Sequence, residues 1–173
     1  MAVHCAASVI ELLSGTLQDM NCSQSETPSQ KTERRLSMRT LEEVREFFKN
    51  DVYASGTTGI EIEDARLGYA KVTLKIDERH INAVDRVMGA VYYTMADFAF
   101  AVATNYEYDK SATVTLSSQI NFLGAAKGKI LIGEAEVVKD GRATSFYKVR
   151  ITDELGTKIA EVSTNGYKLP ARS

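Results

Sequence analysis

Between Val87 and Tyr106 the chain carries one charged side chain, Asp97, and no proline. A stretch so long and apolar either crosses a membrane or forms a helix enclosed by a soluble fold. Asp97 at its centre, with Thr94, Thr104 and Asn105, argues against lipid. So do the half-polar segments on both sides. Val91, Met95, Phe98 and Val102 recur at i, i+4, i+7 and i+11, a bulky stripe that reads as core packing. Asp97 lies nearly opposite Met95, on a face with Ala90, Tyr93, Ala101 and Thr104. Burying an unpaired carboxylate costs several kcal/mol, so Asp97 is either paired structurally or functional.

The elements around this helix define the fold class. Thr40 to Asn50 reads as a helix, with Thr40 as N-cap and Glu42 and Glu43 in its first turn. From Thr57 the pattern turns to strands, with Ile60 and Ile62, a turn at Leu67-Gly68, then Ala70, Val72, Leu74 and Ile76. Asp77 to Val87 is a polar loop. After the long helix come strands over Ala112–Phe122, Lys129–Val138, Thr144–Thr152 and Lys158–Leu169. Turns at 124–128, 139–141 and 153–156 separate them, the middle one with an Asp-Gly hairpin signal. Strands in succession joined by tight turns predict an antiparallel sheet. The expectation is α+β, a long central helix wrapped by a curved antiparallel sheet.

Residues 1–37 differ. Asn21 to Ser37 is rich in Ser, Gln, Thr and charge and reads as disordered. A short helix over Val9–Leu17 and a basophilic kinase pattern at Arg34–Ser37 carry little weight. Residues 1–37 are expected to be a disordered or mis-assigned extension, with Met38 opening a well-formed segment and 38–173 forming the domain. The net charge of −2 supplies no field for nucleic acid or an anionic membrane. The only cysteines, Cys5 and Cys22, lie in the extension, so no disulfide framework, metal or cofactor site is indicated and a cytoplasmic compartment is the default.

The segment from His80 to Asn105 resembles the signature of hotdog-fold thioesterases of the phenylacetate-pathway and 4-hydroxybenzoyl-CoA type. Their pattern is Asn, six residues, His-Gly-Gly, then Leu-Ala-Asp-Thr-Ala in a helix. Asn82, Gly89, Ala96, Asp97 and Ala99 match at the right spacings. The run from Val114 to Gly124, Gly128 and Asp140-Gly-Arg142 is also typical, so the likeness covers about residues 41–170. It departs at Met88 for the family's His, Ala90 for its second Gly and Phe98 for its Thr.

The resemblance implies hydrolysis of acyl-CoA thioesters, with Asp97 as general base or nucleophile. The backbone N–H of Gly89 would polarise the thioester carbonyl, and Asn82 would orient substrate or water. A helix N-terminus suits an oxyanion, and an apolar pocket raises a carboxylate's basicity. Met88, His80, Ala90, Tyr93 and Ala101 are the expected substrate contacts. His80 also allows a reading as a satisfied loop histidine. Arg86, Lys127, Lys129, Arg142 and Lys148 are candidates to meet the phosphates of CoA.

Gly89 and Asp97, eight residues apart, are separated by about 12 Å along one helix. A thioester must lie within roughly 3–3.5 Å of both oxyanion donor and base or its water, so two antiparallel copies are required. A homodimer, or a pair of dimers, is therefore expected. Two rivals stand beside this reading. A hotdog dehydratase would need its helix carboxylate at Thr94 and a Pro at Met88. A non-catalytic acyl-CoA binder would keep Asn82, Gly89 and Asp97 for binding alone.

Overall fold

The computed structural model describes residues 39–107 and 112–170. The expectations for residues 1–37 lie outside them. Helix α1 spans Leu41–Phe48, and Thr40 caps it with a full capping box. The Thr40 hydroxyl accepts from Glu43 N at 3.2 Å, while Glu43 Oε2 accepts from Thr40 N at 2.7 Å. This satisfies two N–H groups that the helix itself leaves unpaired. A single π-helical turn, Tyr53–Thr58, leads into strand β1, Glu61–Arg66, and β2, Tyr69–Lys75. A 3₁₀ turn at Glu78–His80 precedes the long helix α2, Gly89–Thr104. Strands β3 (Thr113–Phe122), β4 (Ile130–Asp140), β5 (Thr144–Asp153) and β6 (Lys158–Lys168) complete the sheet.

The six strands are antiparallel in the order β1-β2-β4-β5-β6-β3. One expectation needs correcting here. The segment 124–128 is a crossover and not a hairpin turn, because β3 pairs with β6 and forms the sheet edge. Leu123 N and Gly124 N both donate to Ile159 O, holding the chain beside β6. Asp153 and Glu154 then catch the crossover. Asp153 accepts from the N–H groups of Lys127 (2.8 Å) and Gly128 (3.0 Å), and from Leu155 and Thr157 in its own turn. Glu154 accepts from Lys129 and Ile130. Burial alone would raise the Asp153 pKa, but these N–H donors outweigh it and hold the carboxyl well below the usual range.

Val91, Met95, Phe98 and Val102 are buried as expected, against Val72, Leu74, Leu131, Val149 and Ile151 of the sheet. Glycine 166 permits the close approach of Phe100: a Cβ there would lie 2.6 Å from Phe100 Cζ. The sheet covers one side of α2 only. Ala90 and Tyr93 are exposed, and Thr94, Asp97, Ala101 and Thr104 are half-buried. The helix that reads as apolar nearly all round thus keeps one face that the sheet does not bury.

Candidate active site

Strand β3 runs back beside α2, antiparallel to it, and meets the helix at three points. At the helix C-terminus the Asn105 side chain pairs with both backbone groups of Thr113, Oδ1 accepting at 2.6 Å and Nδ2 donating at 3.1 Å. At mid-helix Thr115 Oγ1 donates to Asp97 Oδ1 at 2.8 Å. At the helix start the Phe122 ring covers Gly89, where a Cβ would sit only 3.0 Å from Phe122 Cζ. The bulge between Thr115 and Ser117 sets the register that turns both Thr115 and Phe122 toward α2.

Asp97 is therefore half-buried and hydrogen-bonded to Thr115, not sealed in an apolar pocket. Thr115 was invisible to periodicity, since β3 shows no strict alternation. A hydroxyl-rich strand following a helix that holds a lone carboxylate was the only available signal.

The head of α2 has no side-chain cap. Met88 occupies the N-cap and is exposed. The N–H groups of Gly89 and Ala90 precede any intrahelical acceptor and carry the positive end of the helix dipole. A cleft of about 450 Å³ opens there, lined by Val87, Gly89, Tyr92, Phe122, Leu123, Gly124 and Ala125. Tyr92 is buried at its wall; burial pushes its phenol pKa up, against a hydrogen bond to the Ala126 backbone.

Asn82 lies in the loop leading to the helix. Its Oδ1 accepts from Val84 N (3.0 Å) and Arg86 N (3.1 Å), leaving Nδ2 as the group able to reach a ligand. His80 departs from its expected place among the substrate contacts. It is buried, Nδ1 accepts from Asp77 N at 2.9 Å, and Nε2 meets Thr58 O at 2.9 Å. No ring nitrogen remains for a ligand in this conformation.

Asn82, Met88, Gly89 and Ala90 thus gather at the head of α2, while Asp97 and Ala101 lie further along, with Tyr93 between. Of the candidate phosphate contacts, Lys127 sits in the crossover beside the cleft. Lys148 lies on the outer sheet face, between the inward Tyr147 and Val149. Among the described residues no cluster of three or more His, Cys, Asp or Glu could hold a metal, and no helix is long and apolar enough to cross a membrane.

Residues 85–160 match the family model described as Thioesterase superfamily. With the central helix packed on the antiparallel sheet, this match makes the segment similar to thioesterase-superfamily domains, and the architecture is that of a hotdog fold. The chain is 27% identical over 126 residues to the acyl-coenzyme A thioesterase PaaI of Escherichia coli, covering 72% of this chain and 88% of that one. A structure of E. coli PaaI superposes with a TM-score of 0.66 at 23% identity, over 76% of this chain and 98% of that one, a likeness of fold. A hypothetical thioesterase protein of Streptococcus pneumoniae, solved with coenzyme A, gives a TM-score of 0.65 at 26% identity. That match covers 73% of this chain and 99% of the other.

Proposed function

We propose that the protein hydrolyses acyl-CoA thioesters to free acid and CoA at sites shared between two copies of the chain. The observation that carries this reading is Asp97, half-exposed on the one face of α2 that its own sheet leaves open, with Thr115 holding one carboxylate oxygen. The other oxygen is available to a water. Gly89 lies about 12 Å away along the same helix, too far to serve the same carbonyl. A second copy running antiparallel brings its Gly89 and Asn82 opposite this Asp97. The open edge of β3, with Val114 and Leu116 exposed, supports the same partner.

In the reaction Asp97 takes a proton from water as its oxygen attacks the thioester carbon. The carbonyl electrons move onto oxygen, where the partner's Gly89 N–H meets them. The C–S bond then breaks, and CoA leaves as the thiol, taking up the proton. The Asn82 amide nitrogen orients the carbonyl or the water. Met88, Ala90, Tyr93 and Ala101 line the uncovered helix face on which an uncharged acyl group would rest. The CoA seen in the S. pneumoniae structure and the activity named for E. coli PaaI support this substrate class.

The test is free-thiol release from short, medium and aromatic acyl-CoAs, with Asp97→Ala as control. Hydrolysis that falls roughly 100- to 10,000-fold in the variant is expected for loss of a general base. No hydrolysis of any thioester, or a rate indifferent to Asp97, contradicts the proposal and leaves a non-catalytic acyl-CoA binder.

A further inference from the structure

His80 is buried, yet it stands only eight residues before the exposed Met88. Its surroundings explain why. The π-turn Tyr53–Thr58 ends with carbonyls that the turn cannot satisfy internally. Two consecutive side chains take them: Arg79 Nη1 donates to Thr57 O at 3.0 Å, and His80 Nε2 meets Thr58 O at 2.9 Å. Because Nδ1 accepts from Asp77 N–H, the ring proton sits on Nε2 and is given to Thr58 O.

The other side of His80 faces the helix head. His80 O accepts from Met88 N at 2.8 Å, Ile81 and Val87 form a bridge, and Asn82 N donates to Arg86 O at 2.8 Å. The imidazole fixes the His80 peptide, and that peptide fixes Met88, whose own carbonyl carbon bears the Gly89 nitrogen. One ring therefore ties the π-turn to the peptide that presents the oxyanion donor.

We propose that His80 is a positioning residue for the helix-head oxyanion donor, acting through the His80 O to Met88 N–H bond, and that it contacts no part of the substrate. This rests on the proposed thioester hydrolysis. The consequence is a kinetic split. Loss of the ring displaces Gly89 N–H without removing any surface that binds CoA, so kcat falls and KM holds.

Three full-length variants test it. His80→Leu removes both ring contacts and is expected to lower kcat by about 100-fold, the order that a 1 Å misplacement costs, with KM little changed. His80→Asn keeps an acceptor for Asp77 N–H, and His80→Gln keeps a donor for Thr58 O; each should recover part of the loss. An unchanged kcat, or a loss confined to KM, overturns the proposal. Should His80→Leu fail to fold, nitrogen NMR of the parent imidazole decides: the proton on Nε2, before and after saturation with CoA, is expected. A proton on Nδ1, or a switch when CoA binds, overturns it. If the parent cleaves no thioester, the proposed function fails separately. Amide exchange then still tests the tie, with Met88 slow in the parent and fast in folded variants lacking the ring; a Met88 amide indifferent to them overturns it.

Discussion

Thr115 Oγ1 donates to Asp97 Oδ1 at 2.8 Å, joining the edge strand to the one carboxylate on the central helix. The bond orients the carboxylate and leaves its second oxygen for the proposed chemistry. A hydrogen bond to a charged group is worth about 1.5–3 kcal/mol, and each 1.4 kcal/mol is about tenfold in rate. Thr115→Val keeps the side-chain volume and should lower kcat roughly 10- to 100-fold, while Thr115→Ser retains most of the activity. Steady-state kinetics of both variants check this. Equal rates for Val and parent would remove Thr115 from the mechanism.

Asp153 should govern acid stability. Its folded carboxyl is held low, so its contribution is fully present above the ordinary carboxylate value near 4 and is lost as pH falls toward the folded one. Asp77, lowered to about 2 chiefly by its Arg79 hydrogen bond, acts in the same direction. Thermal unfolding of the parent should therefore weaken steadily from about pH 5 downward. Asp153→Asn should lower stability at pH 7 by several kcal/mol, since it gives up charge-assisted bonds to backbone N–H groups. It should also flatten the acid slope, without abolishing it.

Gly166→Ala should cost about 1–3 kcal/mol, because the new methyl meets Phe100 at 2.6 Å, Thr113 Cγ2 at 2.7 Å and Ser145 Oγ at 2.8 Å. Adding Phe100→Leu should return part of that loss. A denaturant melt of the single and double variants measures it, and simple additivity would show that the two sites do not press on each other.

The long helix, the Thr40 N-cap and the strand alternation were legible because each is a local signal of period or cap chemistry. The crossover of β3 to the far edge was not. It depends on Asp153 and Glu154 gripping backbone groups some 25 residues away in sequence, which no window of periodicity contains. Thr115 was hidden for the same reason, since its role exists only once β3 lies beside α2. His80 read ambiguously, as ligand contact or satisfied loop residue. Its two ring partners, Asp77 and Thr58, show that the second reading describes its place. Asp97 stood out as the lone charge of the helix, and Asn82 and Gly89 only through the resemblance to the thioesterase signature, although one helix cannot bring Gly89 and Asp97 to a single carbonyl.

The most direct measurement is complementation in a purified heterodimer, one chain carrying Asp97→Ala and the other Asn82→Ala, isolated through two different tags. Each homodimeric variant should be nearly inactive. If the site is shared, the heterodimer pairs an intact Asp97 with an intact Asn82 once, and about half the parental rate per dimer should return. A heterodimer as inactive as its parents would contradict a site built from two chains.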